Sequence, residues 1–141
     1  MRNLARIGLF PKVLIASLLI GQAALLSSAA VAQSGPVKVE WFGWSFFRLT
    51  SPNGKVILTN PFITGNADAS VKLDDITKAD LILVPNGHGD EIGDTIAIAK
   101  ATGARVLAPA FELGVWDRGR GVPEAQVIGR NPGQRFSWEG I

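Results

Sequence analysis

The chain has 141 residues, with 14 Lys+Arg, 12 Asp+Glu, a single histidine, no cysteine, and 47% apolar residues. That apolar share, part of it contributed by the N-terminal residues, argues against a disordered polar chain. The absence of cysteine excludes disulfides, a thiolate nucleophile and any cysteine-ligated zinc site.

Residues 1–32 have the pattern of a secretory leader. Arg2, Arg6 and Lys12 form a basic start, Val13 to Leu26 an apolar middle, and Ala30-Val31-Ala32 a small-x-small cleavage site before Gln33. The apolar stretch is short of the roughly 20 residues that a membrane span needs, and it contains Gly21 and Gln22. The expectation is an exported protein, periplasmic or secreted, with no stable span after cleavage and a single domain over residues 33–141. The remainder after residue 32 keeps 11 basic and 12 acidic residues. The sequence pI of 9.3 therefore belongs largely to the leader, and nucleic-acid binding has no basic patch to rest on.

Val37 to Phe42 alternates apolar and polar residues and predicts a strand. After Gly43, Ser45 to Thr50 predicts a second strand, Ser51-Pro52-Asn53-Gly54 a turn, and Lys55 to Thr59 a third strand closing a hairpin. Leu81 to Val84 is continuously apolar, as in a strand covered on both faces. A glycine-rich turn follows, then Asp94 to Thr102 with helical spacing and Gly103 at a helix stop. Arg105 to Ala108 and Gln126 to Ile128 predict strands, Ala110 to Trp116 a short helix, and Arg135 to Trp138 the start of one more strand. A run of strands followed by β-α-β-α-β is a mixed α/β layer structure, with a mixed sheet and helices on one face. Of the aromatic run Trp41, Phe42, Trp44, Phe46 and Phe47, the preferred reading is that alternate members fill the core. Lining a ligand pocket is the other reading. Arg118, Arg120 and Arg130 are read as solvated surface.

The chemistry concentrates in Pro85-Asn86-Gly87-His88-Gly89-Asp90-Glu91-Ile92-Gly93-Asp94. Three readings compete. His88, Asp90 and Glu91, with Asn86 in reserve, are donors that a divalent metal can use. Gly87-x-Gly89-x-x-x-Gly93 with Glu112 loosely matches a dinucleotide turn. Its spacing is too long, however, and Asp90, Glu91 and Asp94 would repel a pyrophosphate. Third, the acidic residues can simply favour a helix N-terminus, with Asp94 as an ordinary N-cap and His88 a solvated loop residue. Spacing alone slightly favours this last reading over the metal.

The order of segments adds to this. Gly43-Trp44-Ser45, then Thr59-Asn60-Pro61-Phe62 with Thr64-Gly65-Asn66, then Pro85 to Asp94, then Ala99 to Ala104 with Ala108 and Glu112, resemble the metallo-β-lactamase superfamily. The nearest likeness is to the metal-dependent hydrolase branch that includes L-ascorbate-6-phosphate lactonase. The resemblance covers about residues 37–136. It implies half of an αββα sandwich and a metal turn of the form His-x-His-x-Asp-His. Only His88 and Asp90 match that turn; Asn86 and Glu91 stand at its outer histidines, Trp44 at the histidine of the opening turn, and Asn60 at an aspartate. The resemblance implies His88, Asp90, Glu91 and Asn86 as the metal set, Asp90 as the catalytic residue orienting a metal-bound water, and Asn60, Trp44 and Asp94 as supporting residues. The cofactor would be zinc or manganese. The oxygen-rich donors lean toward manganese, magnesium or calcium, or toward no metal at all. The substrate would be a small ester, lactone or phosphoester.

The family's other ligands lie in a second half that these residues do not include. The expectation is thus a truncated sandwich, completed by a missing C-terminal half or by a partner or second copy. An inactive, ligand- or partner-binding relative is the alternative to a hydrolase.

Overall fold

The computed structural model describes residues 34–110 and 120–139. The leader expected over 1–32, nearly all of the helix expected over 110–116, and Trp116 and Arg118 lie outside them. Among the described residues no helix is long and apolar enough to cross a membrane.

Six strands form one sheet: β1 Lys38–Trp41, β2 Phe47–Thr50, β3 Val56–Thr59, β4 Leu81–Leu83, β5 Arg105–Pro109 and β6 Val127–Arg130. They lie side by side in sequence order. The first three are antiparallel, with Val39 opposite Leu49 and Leu49 opposite Ile57. From β3 onward all pairings are parallel, with Ile57 beside Leu81 and Leu81 beside Arg105. The β2–β3 hairpin turns where the Pro-Asn-Gly signal predicts. Ser51 N–H donates to the Lys55 carbonyl at 2.9 Å, and Gly54 takes φ 79° at no steric cost. Parallel neighbours need crossovers. Residues 60–80 supply one, and the helical turn α1 Gly89–Ile92 with helix α2 Thr95–Thr102 supplies the next. Helix α2 stops at Gly103, which adopts the left-handed conformation (φ 76°) and donates its N–H to the Ala99 carbonyl.

The register sorts side chains onto two unlike faces. On the helix side, Leu58, Ile82, Val106 and Ala108 pack with Phe42, Phe46, Ile92, Ile98 and Ala99. On the other side, Ile57, Leu81 and Ile128 are covered by Trp138. Thus the segment expected to begin a strand at Arg135 to Trp138 is irregular chain, and its tryptophan serves as a plug. Lys55 holds that end by its contact with the Glu139 carboxylate and by lying 5.3 Å from the Trp138 ring centre. The rest of this face is open, with Trp41 63% and Val39 60% exposed. Of the aromatic run, Phe42 and Phe46 are core and Trp41 and Phe47 exposed, as alternation predicts, but Trp44, which shares the parity of Phe42 and Phe46, is exposed in the turn between the strands.

At the outer edge of the helix side, Arg48 grips Glu40 across the β1–β2 pair with two bonds of 2.8 Å, from Nε and Nη2. This bond first, and then a second from Lys38, holds the Glu40 carboxyl at about 2 against the usual 4.5. A depressed carboxyl favours the fold above its unfolded value, and that contribution disappears as the pH falls through its folded value. The stability gap between the native chain and Glu40→Gln, read by urea unfolding, is therefore expected to close as the pH drops from 4.5 toward 2. A gap that stays constant across this window would show that the pair contributes nothing.

Candidate functional site

The turn after β4 and the loop after β3 meet at the carboxyl ends of the parallel strands, the usual place for chemistry in open α/β sheets. Val84 N–H donates to the Leu107 carbonyl (3.0 Å), which extends β4 to the edge of the turn. His88 precedes α1 and its carbonyl accepts from Glu91 N–H and Ile92 N–H. Asn86 turns its side-chain oxygen back onto His88, accepting the backbone N–H at 2.9 Å and lying 2.7 Å from ring Nδ1. This is an Asx turn closed by the imidazole. Placed this way, Nδ1 is the ring nitrogen that faces the Asn86 oxygen. His88 is exposed, and Asp90 and Glu91 are half-buried on α1.

Asp94 stands at the first residue before α2 but does not cap it. Its carboxylate instead accepts Ile63 N–H at 2.9 Å and Thr64 N–H at 2.7 Å, while its own N–H donates to the Pro61 carbonyl at 2.8 Å. The reading of Asp94 as an ordinary N-cap is therefore corrected: the nearby loop presents two unpaired amides that outcompete the helix end. Gly93 (φ 46°) permits this closeness. A Cβ there would collide with the Pro61 carbonyl and lie 2.6 Å from Phe62 Cα. Asn60 is only 7% exposed and holds φ 46°. Its N–H donates to the Leu83 carbonyl, and its amide reaches the Glu91 carbonyl at a long 3.5 Å.

Trp44, also at positive φ (50°), sits 55% exposed with its ring edge-on to Phe62 at 5.6 Å. Its Nε1–H donates to Asp68 Oδ2 at 3.0 Å. Asn60 and Asp94 bridge the turn and the β3 loop, Asn60 through the Glu91 carbonyl and Asp94 through Ile63 and Thr64, whereas the contacts of Trp44 are with Phe62 and Asp68 of the β3 loop and with Trp41.

The fit to a metal can be tested on these contacts. Asn86 is committed to His88, and among the described residues no three His, Asp or Glu side chains gather where they could hold a metal ion. A catalytic zinc site keeps three protein ligands beside its open position. The described residues do not by themselves fit the group, and no chemical step through it follows from them.

Sequence reasoning missed an open cavity of about 410 Å³ at the same edge, walled by Leu83, Pro85, Leu107 and Pro109, with Thr59, Asn60, Arg130, Asn131 and Gln134 as its polar residues. Its residues come from four strand ends far apart in the chain, so no local pattern marks it. The aromatic run does not line it.

Replacing Asp94 by alanine leaves two amides at Ile63 and Thr64 without their partner. The expected loss is about 1–3 kcal/mol in urea unfolding, with Asp94→Asn losing less because it keeps an acceptor. Equal stability of all three chains would show that the contact is not a fastening.

No family model matches the chain. Over 86 residues it is 44% identical to a UPF0173 metal-dependent hydrolase of Thermodesulfovibrio yellowstonii, covering 60% of this chain and 32% of that protein. Over 86 residues it is 46% identical to a Geobacillus protein of the same description, covering 61% of this chain and 37% of the relative. The chain thus spans about one third of the length of the curated relatives it matches. Among solved structures it is similar to Igni18, described as a novel metallo hydrolase from the hyperthermophilic archaeon Ignicoccus hospitalis. The TM-score is 0.60 at 34% identity, over 70% of this chain and 41% of that one. The mixed sheet with helices on one face matches part of that metallo-hydrolase fold. These likenesses support a metallo-β-lactamase-like, metal-dependent hydrolase family for the matched part of the chain.

Proposed function

We propose that this chain is an exported relative of the metal-dependent hydrolases that holds a small molecule at the carboxyl ends of its parallel strands without hydrolysing it. The ligand class is that of the family resemblance, an ester, lactone or phosphoester. One observation carries the reading: among the described residues no three His, Asp or Glu side chains gather at the turn that matches the metal turn, and Asn86 is spent on His88. The basic-then-apolar leader of residues 1–32 supports export. The cavity beside the turn is of a size that suits a small ligand.

A second reading is favoured by the relatives' names. The chain would contribute His88, Asp90 and Glu91 to a zinc or manganese hydrolase of ester, lactone or phosphoester, the lactonase branch included. Further donors would have to come from elsewhere, on a longer chain, a partner or a second copy. A bound metal would supply Lewis acidity and an activated water.

The two readings separate in one experiment. Metal content of the purified protein is measured by mass spectrometry, alongside a hydrolysis panel of phosphodiester, lactone and thioester with added manganese or zinc. The non-hydrolytic reading expects substoichiometric metal that His88→Ala does not change, and no turnover. Metal-dependent turnover that is lost in Asp90→Ala would establish the hydrolase instead.

A further inference from the structure

The cavity at the strand ends combines apolar walls with a single cation. Its walls are mostly apolar, from Leu83 of β4, Pro85 after it, and Leu107 and Pro109 of β5, with Thr59, Asn131 and Gln134 as further polar lining. One cation, Arg130, lines it, and no Asp or Glu is among its described lining residues. Arg130 is also held in place. Its Nη1 donates to the Gly129 carbonyl at 2.8 Å, and its guanidinium lies 5.3 Å from the Phe136 ring centre. One donor of the five is used in that contact, which leaves an edge of the planar fork for an oxyanion. On the opposite wall, Asn60 is a buried polar residue in the left-handed region. Such backbone conformations persist where the surroundings impose them, and they cluster at binding sites.

We infer that this cavity is a binding site for an anionic ligand with a compact apolar body, a carboxylate or phosphate monoester, whose charged end pairs with Arg130. The inference rests on the ligand-binding reading above and narrows it. Of ester, lactone and phosphoester, the phosphoester is the member that carries its own charge. The apolar body displaces water from Leu83 and Leu107, and the charge gains a two-pronged partner at the rim.

The test is an NMR titration of the 141-residue chain with phenyl phosphate, benzoate and the neutral isostere benzamide, following backbone amides. Both anions are expected to shift Leu83, Ala108 and Gly133 saturably. Benzamide is expected to bind at least about tenfold more weakly, the loss that follows when a charge-assisted pair is missing. Arg130→Gln is expected to weaken the anions by a similar factor and leave benzamide unchanged, with Arg130→Lys intermediate. The comparison of benzoate with benzamide in the native chain needs no variant, so it stands even if Arg130 proves necessary for folding. Equal binding of benzamide, indifference to Arg130→Gln, or shifts centred away from the strand ends would overturn the site while leaving the non-hydrolytic reading in place. Turnover of phenyl phosphate with shifts at these same residues would support the site and sink the non-hydrolytic reading.

Discussion

Asp94 fastens two segments that lie 30 residues apart. One carboxylate oxygen takes the amides of Ile63 and Thr64, and the Asp94 amide returns a bond to Pro61. Everything at the functional edge depends on this closure. It sets the approach of the β4 turn to the β3 loop and forces glycine at position 93 by leaving no room for a Cβ. It also places Asn60 under the turn, beside the Glu91 carbonyl. In a metal site, a cation shared between two loops performs such fastening, because its binding energy is also folding energy. Here backbone amides and a carboxylate perform it. Charge-assisted hydrogen bonds of this kind are individually stronger than neutral ones.

The same closure explains why the turn can carry so altered a donor set. If a cation held the loops together, replacing its ligands would open them. With Asp94 and Gly93 holding them, the turn keeps Asn86 folded back on His88 and carries Glu91 on a short helical turn. The likeness to metal-dependent hydrolases is a likeness of sequence and fold, and function has to be argued from the site. The scaffold delivers an apolar cavity with one cation at the ends of four parallel strands. The sheet's other face is half covered: Trp138 closes the middle, while Trp41 and Val39 stand exposed toward β1.

Much of the fold was legible because it follows from short-range chemistry. The alternation around Val39 and Trp41, the Pro-Asn-Gly turn and the apolar run Leu81 to Val84 each mark a strand or its end, and the structure agrees to within two residues. Gly103 marks the helix stop for the same reason, since its positive φ is a local requirement. What was not legible is what depends on neighbours distant in the chain. Trp138 lies in a stretch that resembles a strand, but it packs on Ile57, Leu81 and Ile128 as irregular chain. Asp94 has the identity and place of a helix cap, and only the position of Ile63 and Thr64 redirects its carboxylate. Arg130 resembles any surface arginine until four strand ends are brought beside it. The turn's chemistry was visible as a set of residue types. Its commitment, with Asn86 to His88 and Asn60 to backbone, was not.

The central claim is that this turn stands without a cation. Amide hydrogen exchange of Ile63, Thr64 and the α1 residues Glu91 and Ile92 tests it most directly, read first in chelator and then with added zinc or manganese. The account predicts the same protection in both conditions. Protection that collapses in chelator and returns with metal would contradict it, and would put a cation where the protein's own hydrogen bonds are said to suffice.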